Sequence, residues 1–422
     1  MLYTLILITF IIGYFFIALE GRIQINKTAT ALVAGVLCWV FYIISSSNKE
    51  LVIEQLYAHL GEISSLLFFL LSAMTIVEIM DGHHAFEIIS SRIKTMNKRK
   101  LLWIIGILSF ILSAVLDNLT TSIVMVSLLR KLIKDKETRL YFASLVVIAG
   151  NAGGAWSPIG DVTTTMLWIG GQITATNIIK VLIVPSVACL IVPILILSFI
   201  LKGNIEPLAR EEAKDRQSFP FDQKLILIVG MGALIFVPVF KAITGLPPFM
   251  GILLGLGVVW VVTEFLHKYK DEESVNFSVV QAIRQIDAPS ILFFLGVLLA
   301  VAALQSTDQL AHLAAYMNSK IGRLDLIVLG IGLLSAIVDN VPLVAATMGM
   351  YPLQTYPTDH FLWEFIAYCA GTGGSCLIIG SAAGVAAMGI EKIDFIWYLK
   401  RISWIALLGY LAGAAVYLLE YA

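Results

Sequence analysis

The sequence predicts an all-α integral membrane protein of two inverted repeats, five crossings each, with re-entrant hairpins and discontinuous helices. Three observations carry that expectation. Of the 422 residues, 59% are hydrophobic and 14% charged, and the mean hydropathy is +0.90, a balance that a water-soluble domain does not reach. Apolar runs of about 17 to 25 residues, the length a spanning helix needs, recur along the whole chain. Short sequences from the first half also return, at nearly constant separation, in the second.

Crossings are expected at 2–19, 28–46, 61–80, 140–169 (interrupted), 175–201, 223–240, 248–267, 287–306, 360–390 (interrupted) and 394–419. The first run lacks a basic leading segment and a small-residue cleavage site, so it reads as a retained span. Two further apolar segments, 101–133 and 324–351, are too long for one span and break midway, at LDNLT (116–120) and VDNVP (338–342). Each reads as a re-entrant hairpin that enters and leaves on the same side. Loop charge tests this count, because Lys and Arg gather on the cytoplasmic side. With both termini outside, 23 of the 28 Lys and Arg fall on inner segments, against Lys49, Lys180, Lys241, Lys320 and Arg323 outside. The expected location is a prokaryotic inner (cytoplasmic) membrane, with the lipid bilayer as solvent.

SAVLDNLTTS (113–122) resembles SAIVDNVPLV (335–344), with the two Asp-Asn pairs 222 residues apart. SLLFFL (65–70) matches SILFFL (290–295) at 225, and Gly160 of GNAGGAWSPIG (150–160) aligns with Gly380 of GTGGSCLIIG (371–380) at 220. The chain therefore divides into a first repeat, 1–201, a cytoplasmic linker, 202–222, and a second repeat, 223–422. An odd number of crossings per repeat inverts the second relative to the first. Inverted repeats with interrupted helices place a binding site near the membrane midplane at the repeat interface.

Asp117-Asn118 and Asp339-Asn340 fall at the hairpin tips. A carboxylate at membrane depth costs roughly 2.5 to 3.5 kcal/mol on insertion scales, so two at equivalent positions need a common reason. One reading is that they cap the second helix of each hairpin; the other is that they meet at a centre and supply oxygen ligands or a proton acceptor. GGAWSPIGDVTTTMLW (153–168) breaks its helix at Gly153-Gly154 and Pro158, and unwound backbone is tolerated in a membrane only where protein buries it or it lines a cavity. Around the break stand Ser157, Asp161, Thr163, Thr164 and Thr165, a hard oxygen set suited to a small cation. Thr164, or Thr165 one turn after Asp161, is expected to face the same way as the acid. The second half carries Ser381 where the first has Asp161, leaving Ser375 and Ser381 as hydroxyl candidates. Glu78, near the inner end of the third span, is a candidate for a proton path, whereas Asp81, His83 and His84 read as an interfacial cluster. Cys38, Cys189, Cys369 and Cys376 lie in apolar runs without metal-ligand spacing and read as packing residues. A net charge of −1 gives no reason to expect nucleic acid, and no cofactor is expected.

GNAGGAWSPIGDVTTTMLW (150–168), the paired LDN and VDN tips, FFLLSAMTIVEIMD (68–81) and GTGGSCLIIGSAAG (371–384) resemble the NhaD-type sodium/proton antiporters of the ion transporter superfamily, over essentially the whole chain. The resemblance implies a scaffold domain with a homodimer contact, and a transport domain holding both hairpins and both broken helices and moving like an elevator. It implies Na⁺, Li⁺ and H⁺ as transported ions, and Asp117, Asn118, Asn151, Ser157, Asp161, Thr163, Thr164, Asp339, Asn340 and Ser375 as the centre of ion handling. The sodium site it suggests draws on Asp117, Asp161 and Asp339 with Ser157 and Thr164. One departure is that hydroxyls expected around LIIG (377–380) are absent. Looser versions of these motifs are shared with arsenite exporters and dicarboxylate carriers. A dicarboxylate carrier needs neutral tips and cationic partners, whereas both tips here are acidic and no Arg or Lys is expected deep in a span. A di-aspartyl intramembrane protease is more remote: its G-x-G-D turn stands here as Pro158-Ile159-Gly160-Asp161, without the first glycine.

Overall fold

The computed structural model describes residues 2–18, 20, 25–90, 93, 95–205, 220–268 and 278–421. Most of the expected linker, residues 206–219, lies outside the described residues. The protein is all-α; among the described residues the only extended pairing is a single bridge between Asn97 and Asn204.

In chain order the helices are α1 (Leu2–Ala18), α2 (Lys27–Ser45), α3 (Lys49–Gly82), α4 (Lys98–Leu116), α5 (Asn118–Leu132), α6 (Lys136–Ala155), α7 (Val162–Ile169), α8 (Ala175–Ile200), α9 (Pro220–Thr244) and α10 (Pro248–Lys268). There follow α11 (Val279–Gln285), α12 (Ala288–Ser306), α13 (Gln309–Ile321), α14 (Leu324–Leu334), α15 (Asn340–Met350), α16 (Phe361–Gly373), α17 (Ala382–Glu391), α18 (Phe395–Arg401) and α19 (Ser403–Tyr421), with one extra turn at Glu87–Ser90. Eight of them, α2, α3, α4, α8, α9, α10, α12 and α19, are long and apolar enough to cross a bilayer. Side-chain oxygens satisfy the free N–H groups at many starts: Asn26, Asn48, Asn97 and Asp135 cap α2, α3, α4 and α6.

Three boundaries differ from expectation. Helix α3 runs 34 residues from Lys49, about 50 Å at 1.5 Å per residue, so it starts twelve residues before the expected span at 61. The expected outer loop at 307–323 contains α13, a helix with only Leu310 and Ala314 buried. The last expected span is two helices, α18 and α19, which meet at Ile402. The first hairpin is also longer-armed than the second, 19 and 15 residues against 11 and 11.

Most helix contacts fall into two packing groups, which touch chiefly where α12 lies against α15. In one, α2 lies against α1 and α12, and α3 against α10 and α12, with α9 beside α10. Gly35 and Gly296 let α2 and α12 approach backbone to backbone: a Cβ on Gly296 would sit 2.5 Å from the carbonyl carbon of Ala31, the close approach that small residues permit between membrane helices. In the other group, α4 packs on α6, α14 on α16, α5 on α17 and α7 on α15, while α8 lies along α19. Apolar side chains such as Ile228 and Ile235 of α9 and Leu254 of α10 are exposed, as a surface facing lipid requires. The four cysteines are buried and free.

Candidate functional site

Four helix breaks meet inside the second group. Asp117 separates α4 from α5 with φ 79° and ψ 162°, a region that glycine normally occupies and that other residues hold only under strain. Its carboxylate caps α5: Oδ1 accepts from Thr120 N at 2.8 Å and Oδ2 from Thr120 Oγ1 at 3.0 Å. Asp161 caps α7 through Oδ1, which accepts from Thr163 N at 2.9 Å and Thr163 Oγ1 at 3.0 Å. Asp339 caps α15 through Oδ1, accepting from Val341 N at 3.3 Å. Ser381 caps α17, its Oγ accepting from Gly384 N at 3.1 Å. Three acids thus sit on the positive ends of short helices, which lowers the cost of burying charge.

Capping occupies one oxygen of Asp161, and the other is where the two halves of the chain meet. Its Oδ2 accepts from Asn118 Nδ2 of the first tip at 2.8 Å and from Asn340 Nδ2 of the second at 3.4 Å. Asn118 Nδ2 also donates to Asn151 Oδ1 at 3.0 Å. Asn151 in turn donates through Nδ2 to Ser375 Oγ at 2.8 Å and Ser381 Oγ at 3.0 Å, so the broken helices are joined side chain to side chain. Tyr398 of α18 donates to Ser375 O at 2.8 Å and holds that turn from outside. Asn118, Asn151, Asp161, Asn340, Ser375 and Ser381 are all buried.

The remaining candidates are placed differently. Ser157 Oγ donates to Ala114 O at 2.5 Å, Thr164 Oγ1 to Asp161 O at 2.9 Å and Thr165 Oγ1 to Pro158 O at 3.1 Å. These hydroxyls satisfy carbonyls at the break, and of the three threonines it is Thr163, not Thr164 or Thr165, whose hydroxyl reaches the Asp161 carboxylate. Asp117 and Asp339 lie within electrostatic reach of Asp161. Among the described residues, however, no three His, Cys, Asp or Glu side chains converge as a metal-binding cluster. Each acid of the expected sodium set caps its own helix, and the Ser157 and Thr164 hydroxyls donate to carbonyls. Glu78 is half-buried on α3 and takes no part in this network.

Sequence reading missed four groups nearby. The hydroxyls of Thr121 and Ser122, just past the first tip, are buried without a partner; their aligned positions in the second half are Leu343 and Val344, an asymmetry that was visible. Lys27 Nζ of α2 lies 3.7 Å from Asp339 Oδ2, and a loop-charge count places it in solvent. Glu391, with a 1% exposed side chain, accepts from Arg139 Nε at 2.6 Å.

A family model described as "Citrate transporter" matches residues 14–371. The chain is 49% identical over 407 residues to "Sodium/proton antiporter 1" of Arabidopsis thaliana, covering 96% of this chain and 70% of that one. It is 48% identical over 411 residues to "Sodium/proton antiporter 2" of the same plant, covering 96% and 97%. It is 30% identical over 443 residues to "Na(+)/H(+) antiporter NhaD" of Vibrio cholerae, covering 98% and 91%.

Proposed function

We propose a route for ion exchange from one premise: the chain belongs to the NhaD-type sodium/proton antiporter family. It is an integral, multi-pass membrane transporter, not an enzyme, and its transported ions are Na⁺ and H⁺. Export of cytoplasmic Na⁺ in exchange for external H⁺ proceeds by competition at Asp161, flanked by Asp117 and Asp339. The observation that carries this reading is the shared oxygen, Asp161 Oδ2, on which amides from both hairpin tips converge. An amide offers N–H donors on one side and a carbonyl acceptor on the other. Asn118 and Asn340 present N–H to the empty carboxylate and, turned over, offer oxygen to a sodium ion, a hard cation that prefers oxygen ligands.

Either ion neutralises the site. A bare carboxylate crossing the hydrocarbon carries the roughly 2.5 to 3.5 kcal/mol cost of a buried charge, so the carrier crosses readily when loaded with one ion or the other, and coupling follows. Protons entering down 100 mV release about 2.3 kcal/mol per net charge moved, which drives export when more protons than sodium ions move in each cycle. The moving body is the hairpin group, α4–α8 with α14–α19, sliding as an elevator against a scaffold of α1–α3 and α9–α12. Matched pairings within the moving body support this reading: α4 on α6 beside α14 on α16, and α5 on α17 beside α7 on α15. Li⁺ uses the same oxygens, the scaffold carries a homodimer contact, and both termini lie outside, in an inner membrane that maintains a proton gradient.

A carboxylate carrier, the reading nearest the family model's description, would bring an anion to three aspartates and disfavours itself on charge. An arsenite exporter separates by substrate. The decisive experiment is Na⁺-dependent dequenching of a pH dye in everted vesicles. The wild type responds to Na⁺ but not to citrate or arsenite, and Asp161→Ala abolishes the response; full activity in Asp161→Ala removes the central acid from the scheme.

A further inference from the structure

We infer that Lys27 is a tethered cation that competes with the transported ion for Asp339, and so sets the sodium concentration at which exchange begins. The inference rests on the reading of Asp339 as part of the ion pathway. Lys27 opens α2, in the group proposed as scaffold, whereas Asp339 is the tip of the second hairpin, in the group proposed to move. The ammonium stands 3.7 Å from Asp339 Oδ2, the oxygen left over after Oδ1 caps α15, and the two side chains are 27% and 15% exposed.

The ammonium is held there by more than charge. It lies 4.5 Å from the centroid of the Phe293 ring on α12, a cation–π contact. The Lys27 backbone N–H donates to Glu20 Oε1 at 3.0 Å, and the next residue, Thr28, donates through Oγ1 to Pro289 O at 2.9 Å. The first turn of α2 is thereby fixed against α12. The charged and titratable groups around the pair are Glu20 at that turn, Asp161 across the site, and Tyr14 of α1, whose buried hydroxyl has no partner and lies within electrostatic reach of Asp339.

An ammonium and a sodium ion at contact distance from the same carboxylate oxygen repel each other strongly. A sodium ion that takes Asp339 Oδ2 displaces the ammonium, and the displacement also severs an ion pair between α2 and the tip of the second hairpin. Lys27 therefore lowers apparent sodium affinity and ties the second hairpin tip to α2 and α12. It acts through Asp339 and is a positioning residue, not an ion ligand.

The test is the sodium dependence of dye dequenching in proteoliposomes holding the full chain. Lys27→Gln should lower the apparent KM for Na⁺ roughly fivefold, equivalent to about 1 kcal/mol for a partly exposed pair, and Lys27→Arg should return it toward the wild-type value. An unchanged or raised KM in Lys27→Gln, with exchange otherwise intact, overturns the inference while leaving the antiport reading standing; absence of Na⁺-dependent flux in the wild type sinks that reading instead. Wild-type protein gives an answer that needs no variant. Labelling of Lys27 by an amine-directed reagent, read by mass spectrometry, should rise with Na⁺ and not with K⁺, and labelling indifferent to Na⁺ overturns the proposal.

Discussion

Asn151 gives the sharpest test of how the two halves are joined. The side chain is fully buried and makes three hydrogen bonds: it accepts from Asn118 at 3.0 Å and donates to Ser375 at 2.8 Å and Ser381 at 3.0 Å. Asn151→Ala removes all three. Asn118 keeps Asp161 and Ser381 Oγ keeps Gly384 N, so Ser375 Oγ is the group that loses its partner. At about 1 kcal/mol net for each bond and about 1 to 3 for a buried group left unpaired, the loss is about 4 to 6 kcal/mol, a large part of the 5 to 15 typical of folded proteins. The purified variant should melt several degrees lower and need more Na⁺ for half-maximal exchange, because Asn118 is no longer braced against Asp161. Ser375→Ala removes one bond while Asn151 Nδ2 keeps Ser381 Oγ, and should cost about 1 kcal/mol. In the double variant the effects should fall short of additive by about 0.5 to 3 kcal/mol, as for residues in direct contact. Strict additivity, or an Asn151→Ala protein with wild-type melting and sodium dependence, would refute a junction built on this amide.

Two further outcomes follow from packing and charge. Arg139→Gln leaves Glu391 buried with only Arg130 at 3.7 Å, whose own side chain is 59% exposed; thermal unfolding should show a loss of up to about 3 to 5 kcal/mol, and the double variant Arg139→Met with Glu391→Met should recover most of it, while a double variant no better than the single one argues against charge burial as the cause. Gly373→Ala places a Cβ 2.7 Å from the carbonyl carbon of Gly332 and 2.8 Å from Ser335 Oγ, overpacking α16 against α14 by about 1 to 3 kcal/mol; Gly389→Ala, whose Cβ meets nothing within 4 Å, should melt at or above the wild type in the same assay.

What sequence made legible was whatever the membrane itself enforces. Lipid demands long apolar helices, so the spans could be read from hydropathy. It also tolerates unwound backbone only at protected places, so Asp117, Asp339 and the region of Pro158 stood out, although the break starts after Ala155 and the expected breakers Gly153 and Gly154 are still helical. Hydropathy failed where a helix leaves the hydrocarbon: KELVIEQLYAHL (49–60) carries enough charge to mask the first turns of α3, and QLAHLAAYMNSKI (309–321) is too polar to register as anything but loop. The facing of Thr164 was not readable from its spacing to Asp161, because a hydroxyl beside a broken helix finds a backbone carbonyl within a few residues, and Asp161 O is the nearer one. Lys27 was illegible for a different reason. Its partner lies 312 positions away in the chain, and only the fold brings the two together.

The asymmetry of the centre follows from where the shared acceptor sits. Asp161 and Ser381 occupy equivalent places, each capping the second half of a broken helix. Asp161 takes amides from both tips, whereas Ser381 is reached by Asn151 alone among the described side chains. A second carboxylate at 381 would compete with Asp161 for the same few donors in a medium that resists paired like charges. One acid and one hydroxyl instead leave a single carboxylate to which both hairpins answer. One amide from each hairpin tip thus reaches the same carboxylate oxygen. The unpartnered Thr121 and Ser122 hydroxyls lie on that same first-half side, and the aligned Leu343 and Val344 offer no oxygen. Hydroxyls without a hydrogen-bond partner are thus found, among the described residues, on the helix that Asp117 caps, and the matching face of the second half offers none in return.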